Sequence, residues 1–252
     1  EEAFIGFSKA VKPGGILISQ FGLKRGKELQ ADQHLTYSLQ NEAADLYAAN
    51  IRMKNGSYEF DVQMPGLLLE NVKLNMGGMH NVENAVAAMS VAASLGIDPE
   101  KIRAAVESFR GVKRRFEYII KNERLVFIDD YAHHPDELKA LITGAKNLFA
   151  TKKCTLIFQP HLYSRTKDFA GAFAATLDMA DEVILLPIYP ARELPIEGVN
   201  SEMILKKMKN ENSRVLDKTG LMEWIKNNKT GLLVTAGAGD IDTLVEPIKN
   251  II

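Results

Sequence analysis

Asp129 and Asp130, the Tyr131 phenol and the imidazoles of His133 and His134 stand together in the run Phe127-Ile128-Asp129-Asp130-Tyr131-Ala132-His133-His134-Pro135-Asp136-Glu137. Carboxyl, phenol and imidazole groups are the side chains that move protons and meet ionic ligands. The apolar residues 125–128 before them read as a buried strand, and Pro135 suits the first turn of a helix. In an open α/β sheet, ligands bind in the crevice beyond the carboxyl ends of the strands. A titratable cluster at such a strand end is therefore a site candidate on chemical grounds. The plainer alternative is a helix cap at Asp130 with solvated histidines.

Three further clusters also follow predicted strands. Phe158-Gln159-Pro160-His161-Leu162-Tyr163-Ser164-Arg165-Thr166 offers an imidazole, a phenol, a hydroxyl and a guanidinium, and arginine's planar fork suits carboxylate or phosphate. Pro187-Ile188-Tyr189-Pro190-Ala191-Arg192-Glu193 follows the next strand. Gly237-Ala238-Gly239-Asp240-Ile241 offers backbone N–H groups at a helix start, an anion site in principle, although such turns often serve packing alone. Arg114 and Arg115 lie where a hinge cation could reach across a cleft; with Lys113 they could equally form a solvated basic triplet. Asn81 and Asn84 share a helix face near His80 and could grip one ligand, unless Asn81 only caps the helix.

The elements that must position these groups can be read from periodicity. Residues 1–12 place Phe4, Ile5, Ser8 and Val11 at helical spacing, ended by Pro13-Gly14-Gly15, and a short strand follows at 16–19. From about 35 to 74 the pattern turns to period two. Segments 46–53 and 57–62 flank Asn55-Gly56, a strong hairpin signal, and 67–74 follows, so a small antiparallel sheet is expected. Gly77-Gly78 precede an alanine-rich helix at 79–93, stopped by Gly96, and Asp98-Pro99-Glu100 caps another at 101–109. A domain boundary falls at Gly111. Beyond it, 116–121 and 124–128 form a hairpin. Helices at 136–148, 166–179 and 201–209 then alternate with strands at 155–158, 183–186, 214–216 and 232–235, and a last helix closes the chain. That alternation predicts a mostly parallel, doubly wound sheet.

The 252 residues fit one large domain or two ordinary ones, and 46% apolar content can bury real cores. A formal charge of −1 gives no support for non-specific nucleic-acid or membrane-surface binding. The single cysteine, Cys154, excludes an internal disulfide framework and any cysteine-rich zinc module, and points to the cytoplasm. There is no signal peptide and no apolar run near the roughly 18 residues of a membrane span. The chain starts without methionine, directly in an amphipathic pattern, as though cut from a longer one. It has no GxxxxGK[ST] loop, no GxGxxG after a strand, no GxSxG elbow and no HExxH.

Taken together, the clusters resemble the Mur ligases, the ATP-dependent amide-bond ligases of peptidoglycan precursor synthesis. His80-Asn81-Val82-Glu83-Asn84-Ala85 is similar to the family's HNxxNA element, Arg114-Arg115-Phe116-Glu117 to its RRFE, and 129–135 to its DDYxHHP. His161 to Thr166 and Tyr189 to Glu193 resemble the branch that joins L-alanine to UDP-N-acetylmuramate; a neighbouring branch recycles murein tripeptide. The resemblance implies an α/β fold: residues 1–110 as the C-terminal part of a central ATP-binding domain carrying the small antiparallel sheet, and 111–252 as a Rossmann-like, amino-acid-recruiting domain. It further implies that the phosphate loop and the main magnesium (Mg2+) ligands lie upstream, and that this fragment alone is inactive.

For an intact enzyme the resemblance implies that ATP phosphorylates the muramyl carboxylate, and that L-alanine's amine attacks the acyl phosphate. The tetrahedral intermediate then expels phosphate. Asn81 and Asn84 would hold the adenine side of ATP, Arg115 the phosphates, and Asp130 with Tyr131 the nucleotide edge. His133 and His134 would face the reacting centre, so Arg115, Asp130, His133 and His134 form the catalytic set. His161, Tyr163 and Arg165 would line the amino-acid end, with Arg192 and Glu193 as further candidates. Leu162 stands where many relatives carry a basic residue, which leaves Arg165 as the surviving cation. A different class offers an alternative: residues 132–137 partly match the HPDDE motif of zinc-dependent sugar deacetylases, but the second Asp and a later HxxH are missing.

Overall fold

The computed structural model describes residues 1–252, which form two compact units, Glu1–Arg110 and Gly111–Ile252. In the first, α1 (Glu2–Ser8) is shorter than its pattern suggests: Ile5 and Ser8 are buried while Phe4 and Phe7 face solvent. Strands β1 (Ile16–Gln20), β2 (Gln33–Ser38), β3 (Leu46–Lys54), β4 (Ser57–Met64) and β5 (Leu67–Leu74) then build one sheet in chain order. The expected antiparallel sheet is correct for β3–β4–β5, but β1, β2 and β3 pair in parallel, so the whole sheet is mixed. The β3–β4 turn has Asn55 at φ 51° and Gly56 at φ 68°. Positive φ at both central positions matches the right-handed strand twist, which is why Asn-Gly selects this hairpin.

Helix α2 (Met79–Ser94) buries Val82, Val86 and Met89, all essentially inaccessible, and packs on the sheet, whose Leu46, Phe60 and Val62 are buried as well. Gly96, at φ 71°, ends it. Asp98 then caps α3 (Pro99–Ser108), accepting from the backbone N–H groups of Glu100 and Lys101.

The second unit contains β6 (Glu117–Lys121), β7 (Val126–Asp130), α4 (Pro135–Leu148), β8 (Cys154–Phe158), α5 (Tyr163–Leu177), β9 (Glu182–Leu185) and α6 (Ser201–Leu205). After these come β10 (Ser213–Val215), α7 (Lys218–Asn227), β11 (Leu232–Ala236), a 3-10 turn (Asp240–Leu244) and α8 (Val245–Lys249). The sheet order is β10-β9-β8-β11-β7-β6, parallel throughout except for β6. Alternate side chains feed two cores. Ile128, Leu156 and Phe158 meet Leu138 and Ile142 of α4 and Phe173 of α5 on one face. Phe127, Ile157 and Leu233 meet Leu221 and Ile225 of α7 and Ile248 of α8 on the other. Helices on both faces are what a buried parallel sheet requires.

In this second unit two helices also differ from expectation. Helix α6 ends at Leu205 rather than 209, because the backbone N–H groups of Lys209 and Asn210 donate to the Asp178 carboxylate instead of to helix carbonyls. Helix α7 has no counterpart in the sequence reading. It starts on Asp217, which accepts from Gly220 N–H, and buries Leu221 and Ile225; a glycine in its first turn hides its helical character.

Candidate functional site

Register brings the chemistry to one edge. Ala236 of β11 is level with Asp130 of β7 and with Phe158 of β8, which is level in turn with Leu185 of β9. The segments leaving β7, β8 and β9 carry most of the candidate residues of this unit, so the site lies beyond the carboxyl ends of a parallel sheet.

Asp130, at the end of β7, spends both oxygens on backbone: Oδ2 accepts from Phe116 N–H at 2.7 Å and Oδ1 from Ala132 N–H at 2.7 Å. Burial pushes its carboxyl up, and those two bonds pull against the rise. Asp130 is thus a turn-maker and does not cap the following helix. Asp129 points into the sheet, 2% exposed, accepting from Thr235 Oγ1 at 2.6 Å and lying 3.4 Å from Arg114 Nε. Burial lifts it from 3.8 to about 6 despite those partners.

The adjacent arginines part company. Arg114 folds inward, donating to the Gly237 carbonyl at 2.5 Å, lying 3.7 Å from Asp242 and stacking over Tyr131 at 5.0 Å. Arg115 is exposed. Arg114 at φ 59° and Phe116 at φ 48° bracket it in a backbone region that side-chain-bearing residues rarely adopt. The bend is held by Glu117 on Arg114 N–H and by Asp130 on Phe116 N–H.

From Tyr131 a row of rings crosses three strand ends. Tyr131 meets His133 at 5.3 Å between centroids, His133 meets His161 at 6.2 Å, and His161 stacks on Tyr189 at 5.8 Å. His133 Nδ1 lies 2.9 Å from the Tyr131 carbonyl and 3.3 Å from Glu137. His134 is the cap of α4: Glu137 accepts from its backbone N–H, and its ring packs 4.9 Å from Phe169. The capping duty assigned in the plainer sequence reading to Asp130 therefore belongs to His134.

On the β8 side, His161 precedes α5 and Arg165 lies in its first turn, with Arg165 Nη1 3.4 Å from His161 Nδ1. Burial lowers the imidazole's proton affinity, and the charges of Arg165 and His133 lower it further. Leu162 adopts φ 71° at the start of α5; its N–H bonds the Tyr189 carbonyl, while its own carbonyl accepts from the Thr166 hydroxyl. Tyr163 opens the helix, half-buried. Glu193 accepts from Ser164 N–H at 2.9 Å and from the Ser164 hydroxyl, whereas Arg192 beside it is exposed.

In the other unit, Asn81 does not cap α2, which begins after Gly78; it donates instead to the Gly77 carbonyl at 2.6 Å. Asn84, one turn on, is exposed. In the 237–241 turn, two of the N–H groups already have partners within the protein. Gly237 N–H donates to the Asp130 carbonyl, and Ile241 N–H to Gln159 Oε1, whose amide also reaches Asp240. A side chain at Gly239 would overlap Gln159 and Tyr189, so this glycine serves close packing.

Sequence reasoning did not assign Thr235, Glu137 or Gln159 any part here. Thr235 and Gln159 are interior residues whose partners lie far along the chain, whereas Glu137 closes a local capping box with His134 that becomes readable only once the start of α4 is known. No three His, Cys, Asp or Glu side chains converge to hold a metal ion, so the zinc-hydrolase alternative has no donor set. The arrangement offers an exposed guanidinium at Arg115, and a partly buried one at Arg165 beside the poorly basic His161 imidazole. Such a lining suits anionic groups.

Comparison with known proteins bears on both units. The Mur ligase middle domain matches residues 2–92, and the Mur ligase glutamate ligase domain matches residues 114–239. A UDP-N-acetylmuramate–L-alanine ligase of Cytophaga hutchinsonii is 41% identical over 98% of this chain and 53% of its own length. The Porphyromonas gingivalis enzyme of that name is 44% identical over 98% and 55%. The crystal structure of the Thermotoga maritima UDP-N-acetylmuramate–alanine ligase superposes with a TM-score of 0.73 at 27% identity, covering 93% of this chain and 51% of that one. The chain thus spans about half the length of the curated relatives it matches.

Proposed function

We propose, since this chain belongs to the Mur ligase family, that it forms part of an ATP-dependent ligase joining L-alanine to UDP-N-acetylmuramate. The observation that carries the reading is the row Tyr131, His133, His161 and Tyr189 with Arg115 and Arg165 at the same strand-end edge. Anionic phosphate and carboxylate groups are the reactants such an edge would meet. ATP is the phosphoryl donor, and magnesium, when bound with it, would neutralise phosphate charge.

Arg115, held out by the bend between Arg114 and Phe116, reaches phosphate oxygens; Asp130 and Tyr131 support that edge. Asn81 and Asn84 hold the adenine. Arg165 pairs with the carboxylate of L-alanine through its planar fork, with Tyr163 and Arg192 nearby. His161 is kept neutral, and with Nδ1 accepting from Arg165 its proton sits on Nε2. From there it donates to the oxygen that gains charge in the tetrahedral intermediate. His133 lies next to it, and His134 fixes the start of α4.

In an intact ligase carrying this chain, Arg115→Ala and Asp130→Ala each reduce L-alanine-dependent phosphate release from ATP, with UDP-N-acetylmuramate present, by about a thousandfold or more. Near-normal turnover by either variant removes that residue from the site.

A further inference from the structure

Helix α5 has no side-chain cap of its own, because the residue at its N-cap position is Leu162. Its first N–H groups still need acceptors. Glu193 supplies them from a different segment: one carboxylate oxygen accepts from Ser164 N–H at 2.9 Å, the other from the Ser164 hydroxyl, and Tyr163 N–H contributes as well. Two more ties bind the same two segments. Tyr189 N–H donates to the Pro160 carbonyl, and Leu162 N–H to the Tyr189 carbonyl, while His161 stacks on the Tyr189 ring. The turn that carries Glu193 is itself closed by Glu193 N–H on the Pro190 carbonyl, with Ala191 at φ 51°.

We infer that Glu193 is a positioning residue, which caps α5 from the neighbouring 187–194 loop and so fixes Tyr163 and Arg165 for the amino acid. A carboxylate here satisfies donors and complements the positive end of the helix dipole. With that end already neutralised, the carboxylate of the incoming amino acid is left to Arg165. The inference rests on the ligase reading for its consequence, though not for its geometry.

The test compares Glu193→Ala with Glu193→Gln. The amide can still accept from Ser164 N–H and can donate to the Ser164 hydroxyl, so it keeps the cap and loses the charge. Hydrogen exchange at Ser164 N–H is expected to speed up about tenfold in the Ala variant and to stay within about threefold of the parent in the Gln variant. In the intact ligase, KM for L-alanine is expected to rise about tenfold in E193A with kcat changed less than about threefold, and E193Q to restore KM. Unchanged exchange in E193A overturns the cap. Equal loss of L-alanine affinity in E193Q and E193A overturns the positioning role in favour of a charged contact with the substrate. If the parent protein shows no L-alanine-dependent turnover, the ligase reading fails, and the exchange experiment still decides the cap.

Discussion

Arg114 and Arg115 are chemically alike, and the backbone between them decides which is buried. Positive φ at Arg114 and Phe116 turns the first guanidinium toward Asp129, Gly237 and Tyr131 and leaves the second in solvent. Periodicity does not encode such a bend, so the sequence could nominate the pair but not divide its labour. Asp129 is the more telling partner. A carboxyl whose folded value, about 6, lies above its ordinary value of 3.8 takes up a proton on folding. Its contribution is therefore fully present below about 4 and is lost as pH rises to about 6, by on the order of 3 kcal/mol. Urea unfolding from pH 4 to 7 is expected to show parent stability falling across that window relative to Asp129→Asn. A constant difference between the two proteins would refute the assignment.

At the scale of elements, backbone conformation makes two glycines opposite cases. Gly56 sits at φ 68° in the β3–β4 hairpin, where a Cβ meets the backbone, so Gly56→Ala is expected to destabilise by about 1–2 kcal/mol. Gly171 lies exposed inside α5 with open space where a Cβ would go, so Gly171→Ala is expected to stabilise by about 0.5–1 kcal/mol. Urea midpoints read both, and a shared sign would contradict the conformations described. The first of these turns was legible from Asn55-Gly56 alone, as were strands β7, β8 and β11, because local patterning specifies them. What escaped was set by partners far along the chain. The parallel pairing of β1, β2 and β3 depends on segments that meet only in the sheet. The end of α6 depends on Asp178. The same holds at the site: the strand-end cluster of Asp130, His133 and His161 was visible in residue types. The assignment of His134 and Glu193 to helix caps required knowing where α4 and α5 begin.

For the molecule as a whole, the second unit carries everything a domain needs. Its parallel strands run through the interior with Phe127, Ile128, Leu156, Ile157, Leu233 and Val234 inaccessible to solvent. Helices α4 and α5 cover one face, and α7 and α8 the other, so neither apolar layer depends on residues before Gly111. A domain of this size with two closed faces buries enough apolar surface to fold alone. Its exposed edges are short: three-residue β10 on one side and antiparallel β6, with charged Lys121 and Glu117, on the other, which limits edge-to-edge association. Residues 111–252 expressed separately are therefore expected to unfold in one cooperative transition, with denaturant dependence near that of a compact domain of this length. Dispersed amide resonances would accompany it. A molten, dye-binding product without a cooperative transition would refute the independence of this unit.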